Sequence, residues 1–163
     1  MNDRPIIVSH EFAKSQKRFD LELSLSQLPK LVGSCQESNR KLKASILGGI
    51  QRNGKPYLDL SILGSLILSC QRCLEDFVFE INLQSRFIIA SSESGLTEVG
   101  DEPNNVNTVF FGAEVDVIGF IEDEVLLALP MAPTHELGEC EKPRTSLSVA
   151  TSASPFGILK NKR

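Results

Sequence analysis

Apolar and polar residues alternate most strictly between Leu58 and Cys70. Leu58, Leu60, Ile62, Leu66, Leu68 and Cys70 share one parity, while Asp59, Ser61, Ser65 and Ser69 share the other. A period of two marks a strand with one buried face, and it assigns Cys70 to that face. After a turn, Phe77, Phe79, Ile81, Leu83, Phe87 and Ile89 repeat the pattern, with Glu80, Asn82 and Gln84 on the other side. Upstream, "LKASILGGIQ" from Leu42 is strand-like, and its Gly48-Gly49 pair suggests a bulge or a close backbone approach. "RNGKP" supplies Asn53-Gly54, a strong hairpin signal. Residues 41 to 90 therefore read as an antiparallel meander of three strands.

The flanks are less regular. "RFDLELS" at 18–24 alternates and reads as a short strand. "SQLPKLVGSC" follows, with Ser24 or Ser26 able to cap one or two helical turns and Pro29 tolerable only in the first turn. Residues 91 to 106 have no periodicity and read as a long, acidic loop, after which "NTVFFG" can return as an edge strand. In "AEVDVIGFIEDEVLLALP", Val117, Ile121, Val125 and Leu129 recur at four-residue steps. This predicts a helix over 114–129, capped by Asp116 and ended by Pro130. Beyond Pro143 the chain turns to Ser, Thr and Ala, and a disordered tail is expected there. The predicted class is α+β: a twisted antiparallel sheet of about four or five strands, partly closed, packed by a C-terminal helix. Residues 1–140 would form a single domain and 141–163 a flexible tail.

Composition narrows the function. The chain has 163 residues, 41% of them hydrophobic, enough for a real core without disulfide staples. No secretory signal opens it and no apolar run approaches the roughly 20 residues that span a bilayer, so a cytoplasmic protein with no membrane partner is expected. The net charge of −4 conceals an asymmetry: residues 1–70 carry ten Lys/Arg against six Asp/Glu, and residues 71–163 carry seven against fifteen. A uniformly basic nucleic-acid binder is excluded. Phosphate contact is left to Lys14, Lys17 and Arg18, to Arg40, Lys41 and Lys43, and to Arg52 and Lys55 at the hairpin. With one tyrosine and no tryptophan, a base-stacking platform is also excluded.

The cysteines carry the most chemistry. Cys70 and Cys73 form a Cys-x-x-Cys pair between two strands. A catalytic dithiol needs its first cysteine at a helix N-terminus, and Glu75 and Asp76 would raise the thiol pKa, so a redox centre is disfavoured. Two readings stand. In one, Cys70, Cys73, His135 and Cys140 hold a structural zinc, the second pair supplied by "PTHELGEC". In the other, Cys70 is a core residue and the rest are unrelated. The glycine that often follows the second cysteine of a zinc knuckle is replaced by Leu74. Cys35 has no nearby partner and reads as packing. Glu122, Asp123 and Glu124 are consecutive, so on a helix they diverge and form a solvated face or a docking surface for a basic partner. No hydrolase, Walker or dinucleotide signature occurs, and two histidines leave little for acid–base work. Neither an enzyme nor a small-molecule substrate is expected.

"LSCQRCLEDF", then "VDVIGFIEDEVLLALPMAPTHELGEC", then "SPFGILKNKR" resemble, in that order, the YceD family of large ribosomal RNA subunit accumulation proteins. The resemblance implies a non-enzymatic cytosolic factor that supports synthesis, processing or stability of large-subunit (23S) rRNA. Its partners would be that rRNA or its precursor particle and a basic ribosomal protein. The matching residues include Cys70, Arg72, Cys73, Glu122, Asp123, Glu124, Leu129, Pro130, Pro133, His135, Cys140, Pro155, Phe156 and Leu159. Phe156 and Leu159 would act as docking anchors in the tail. The alternative function is a protein-interaction module that holds a ribosomal protein or nuclease without touching RNA.

Overall fold

The computed structural model describes residues 4–90, 106–110 and 114–140. Its centre is a five-stranded sheet in the order β2-β3-β4-β5-β6, with β2 Arg18–Ser24, β3 Lys41–Ile50, β4 Pro56–Ser69, β5 Asp76–Ile89 and β6 Val106–Val109. Strands β2 to β5 are antiparallel in sequence order, so the expected meander is present with one strand more in front. Two features differ from expectation. The sheet is open rather than partly closed, because β2 and β6 occupy opposite edges. β6 also runs parallel to β5, where an antiparallel edge strand was expected.

The parity of β4 decides which face is the core. Leu58, Leu60, Ile62, Leu66, Leu68 and Cys70 are all buried, joined by Leu42, Ala44 and Ile46 of β3 and Ile81, Phe87 and Ile89 of β5. Leu25, Leu28 and Leu31 cover part of this face from a 3-10 turn (Leu25–Gln27) and the turns after it. That turn begins at Ser24, as expected, in a capping box with Gln27. Helix α2 (Val117–Ala128) adds Val117, Ile118, Ile121 and Val125 to the core, and Phe120 meets Phe87 edge-on at 4.9 Å.

The helix is shorter than expected. Residues 114–116 instead form β7 (Glu114–Asp116), which pairs antiparallel with β1 (Ile6–Val8) in a second, two-stranded sheet. Helix α1 (Ser9–Lys14) follows β1 and lies on β3. This contact explains Gly48: a Cβ there would sit 2.5 Å from the Phe12 carbonyl oxygen and 2.8 Å from the Ala13 Cα. The expected tail at 141–163, with Phe156 and Leu159, lies outside the described residues.

Candidate metal centre

The β4–β5 connection is built to bring two sulfurs to one side. The Cys70 N–H donates to the Glu75 carbonyl at 2.9 Å, and the Leu74 N–H donates to the Cys70 carbonyl at 2.8 Å. Turning this tightly places Leu74 in the left-handed region at φ +64°, where a glycine would sit without steric penalty. The second half of the cluster arrives after α2. Leu129 and Pro130 end the helix, and the chain doubles back so that the Pro133 carbonyl accepts the Gln71 N–H at 2.8 Å. His135 and Cys140 then face the hairpin, with the His135 ring against Phe77 at a centroid distance of 5.0 Å.

Cys70, Cys73, His135 and Cys140 converge, their ligand atoms all within 4.8 Å of one another. Cys70 Sγ lies 3.8 Å from Cys140 Sγ; His135 Nδ1 lies 3.4 Å from Cys73 Sγ and 3.6 Å from Cys140 Sγ. Tetrahedral Zn²⁺, with bonds of about 2.3 Å to sulfur and about 2.0 Å to nitrogen, sets ligand edges of about 3.8 Å for S···S and about 3.5 Å for S···N. The three separations agree with those edges to within about 0.1 Å. All four cysteines of the described residues are free thiols. Cys70 and Cys73 are buried, while His135 and Cys140 are half-buried.

The electrostatics of the pair are divided. Burial pushes the Cys70 thiol up, but the N–H groups of Cys73, His135 and Arg72 together overcome it and bring it down to about 5. The sequence expectation that Glu75 and Asp76 would raise this thiol is therefore corrected: donated hydrogen bonds decide. Cys73 moves the other way. The Glu75 N–H favours its thiolate, yet burial and the sulfurs of Cys70 and Cys140 outweigh that donor. Cys35 is also raised by burial, and it packs in the core away from the cluster.

The remaining candidate residues separate into groups. Arg18 pairs with Asp20 at 2.9 Å and Lys41 with Glu22 at 2.8 Å, so their charges are largely spent on neighbours. Arg40 donates to Ser65 Oγ at 2.6 Å. Lys43 lies on the outward face of β3 opposite Glu22. Lys14, Lys17, Arg52 and Lys55 gather at the β3–β4 hairpin end, where the Lys17 carbonyl accepts the Gly48 N–H. These four are in no ion pair among the described residues.

The acidic triplet is corrected most. Glu122 is not on a solvated or docking face: it is fully buried, and its Oε1 accepts the Lys30 N–H at 2.5 Å. Asp123 pairs with Lys30 Nζ at 2.5 Å. Glu124 is raised above its ordinary value, by burial first and the Asp123 charge second. Two features went unread in the sequence. Arg86 binds Asp59 through two bonds of 2.6 and 2.7 Å while lying 4.3 Å over the Tyr57 ring. Arg72 reaches across to Cys140 at 3.1 Å. The first was foreshadowed by outward polar residues on two adjacent strands, the second only by its place between the two cysteines.

Among known families, the profile described as "Large ribosomal RNA subunit accumulation protein YceD" matches residues 58–155, more than half of the chain. The chain belongs to the YceD family. A relative of that name in Haemophilus influenzae is 30% identical over 108 residues, covering 65% of this chain and 53% of the relative. The match thus spans about half of that relative's length. No solved structure matches the chain. The matched YceD segment contains all four residues of the cluster and the whole of α2, whereas Lys14, Lys17, Arg52 and Lys55 lie before it.

Proposed function

We propose that this protein supports the accumulation of large-subunit ribosomal RNA as a non-enzymatic cytoplasmic factor whose β4–β5 hairpin is fixed by a structural zinc. The observation that carries the functional half is membership of the YceD family of large ribosomal RNA subunit accumulation proteins. The observation that supports the zinc is the Cys70–Cys73–His135–Cys140 cluster, whose ligand atoms all lie within 4.8 Å and three of whose six edges have tetrahedral length. Three thiolates and an imidazole are a soft donor set suited to Zn²⁺, and four protein ligands leave no open position for substrate. Such a metal would join the hairpin to the segment after α2 and contribute directly to folding. No helix among the described residues is long and apolar enough to cross a membrane.

The proposed RNA surface is the hairpin end, with Lys14, Lys17, Arg52 and Lys55 as phosphate contacts. Arg18, Arg40, Lys41 and Lys43 are weaker candidates, since carboxylates or Ser65 already face them. The zinc half is tested by metal analysis of full-length protein purified under reducing conditions. About one zinc per chain is expected, and Cys73→Ser should lose it together with stability. A metal-free wild-type protein with unchanged stability after chelation would overturn it. The functional half is tested by sedimenting tagged protein on gradients after crosslinking in cells. Comigration with large-subunit precursors and crosslinks to rRNA are expected. Comigration without RNA crosslinks would leave the alternative, an interaction module that holds a ribosomal protein or nuclease.

A further inference from the structure

We infer that Arg72 is the positioning residue of this metal centre, compensating its surplus charge and tying the segment that carries His135 and Cys140 to the hairpin. The inference rests on the zinc reading above. The Arg72 Nε donates to Cys140 Sγ at 3.1 Å, and its Nη2 donates to the carbonyls of His135 at 3.4 Å and Glu136 at 3.3 Å. One guanidinium therefore holds a ligand sulfur and the backbone at and beside a second ligand. The need for such a tie is visible in the chain. Residues 129–140 contain no helix or strand, and Cys140 is the last ligand, at their far end. Among the described residues, the Gln71 N–H to the Pro133 carbonyl is the one backbone–backbone bond between this segment and the hairpin.

Three thiolates and a neutral imidazole around a dication leave one net negative charge at the site. Arginine stays protonated throughout the accessible pH range, so Arg72 brings the unit to neutrality. An N–H aimed at a metal-bound thiolate draws electron density from it and lowers its reactivity toward electrophiles. Lysine would keep the charge but not the fork, because an ammonium is a point charge without fixed donor geometry.

The test uses zinc-loaded full-length wild type, Arg72→Lys and Arg72→Met. Zinc affinity is read by chelator competition, and thiolate reactivity by the rate of zinc release under N-ethylmaleimide. In that reaction the ligand sulfur bonds to a maleimide carbon, the adjacent carbon takes a proton from water, and the metal–sulfur bond breaks. Loss of an outer-shell partner lowers metal affinity by about 10–100-fold, the drop expected for Arg72→Met, together with faster release. Arg72→Lys should fall between the two. Affinity and release rate in Arg72→Met within about twofold of wild type would overturn the inference while leaving the zinc reading intact. Should Arg72→Met not fold, an Arg72→Lys protein indistinguishable from wild type overturns it equally. Wild type that takes up no zinc would remove both.

Discussion

Leu74 shows how a single residue records the demands of the cluster. It holds φ at +64°, a conformation that costs a residue with a Cβ about 1–2 kcal/mol, and its side chain is half exposed, 52%, so packing returns little. On sequence, the missing glycine counts against a knuckle; the geometry keeps the turn and accepts the strain instead. Leu74→Gly is therefore expected to stabilise the zinc-loaded protein by about 0.5–1 kcal/mol, the relief of strain exceeding the added chain entropy. Leu74→Val should destabilise it by about 1 kcal/mol, because β-branching is least tolerated at positive φ. Urea midpoints of the three proteins check the order, and a Val variant as stable as the Gly variant would show that the turn is unstrained. The spacing offered these four residues as one of two readings, the other leaving Cys70 in the core and the rest unrelated. What could not be read was their meeting, since Cys73 and His135 are 62 positions apart and only the path of α2 brings them together.

At the scale of elements, α2 was legible through its four-residue apolar steps, and Asp116 through its place just before them. The structure puts its carboxylate on the N–H groups of Ile118 and Gly119 at 3.1 and 3.2 Å and on Arg4 at 2.7 Å. Burial pushes the Asp116 carboxyl up, but Arg4 and the two N–H groups outweigh it and hold the group below its ordinary value of 3.8. The folded state thus binds this proton more weakly than the unfolded chain. Its contribution is complete above pH 3.8 and is lost as pH falls through the lower folded value. Asp116→Ala is expected to cost about 1–2 kcal/mol at pH 7, with the difference from wild type shrinking below pH ~4. Denaturation curves at both pH values measure this, and a gap that widens in acid would contradict the assignment. The elements that sequence missed are those that exist only through distant partners. β1 is three residues long and is made a strand by β7, with Ile7 opposite Val115. Glu122 belongs to a run of three acids that looks solvated, yet it is buried, with its Oε1 accepting the N–H of Lys30, 92 positions away. Periodicity sees neither, because both are decided across the fold. β4 is the opposite case: its strict parity is a local property, and every apolar member of it is in the core.

For the whole molecule, the charge asymmetry of the sequence becomes a polarity in space. Strand β4 runs 14 residues, about 45 Å of chain, from the hairpin with Arg52 and Lys55 to the turn with Glu75 and Asp76. Lys14 and Lys17 join the basic end, Glu136 and Glu139 the cysteine-cluster end, and none of these eight side chains is in an ion pair among the described residues. Between the ends, Arg18, Lys41 and Arg86 on the outward sheet face are met by Asp20, Glu22 and Asp59. Pairing of this kind leaves little free charge for phosphate, and the carboxylates around the cysteine cluster repel it. If the proposed RNA contact is direct, it should therefore depend on the four cations of the hairpin end. Replacing Lys14, Lys17, Arg52 and Lys55 together by glutamine should flatten the dependence of log affinity on log salt by about 3, at about 0.7–0.9 for each phosphate that is no longer neutralised. Replacing Arg18 and Lys41 should change the slope by less than half as much per residue, because each already has a carboxylate partner. These exposed substitutions are also expected to shift stability by no more than about 0.5 kcal/mol, so a change in binding is not secondary to unfolding. Titration of a large-subunit rRNA fragment at four salt concentrations distinguishes the outcomes. A slope unchanged in the quadruple variant would remove the hairpin end from the RNA surface and shift the balance to the reading in which this protein holds another protein instead.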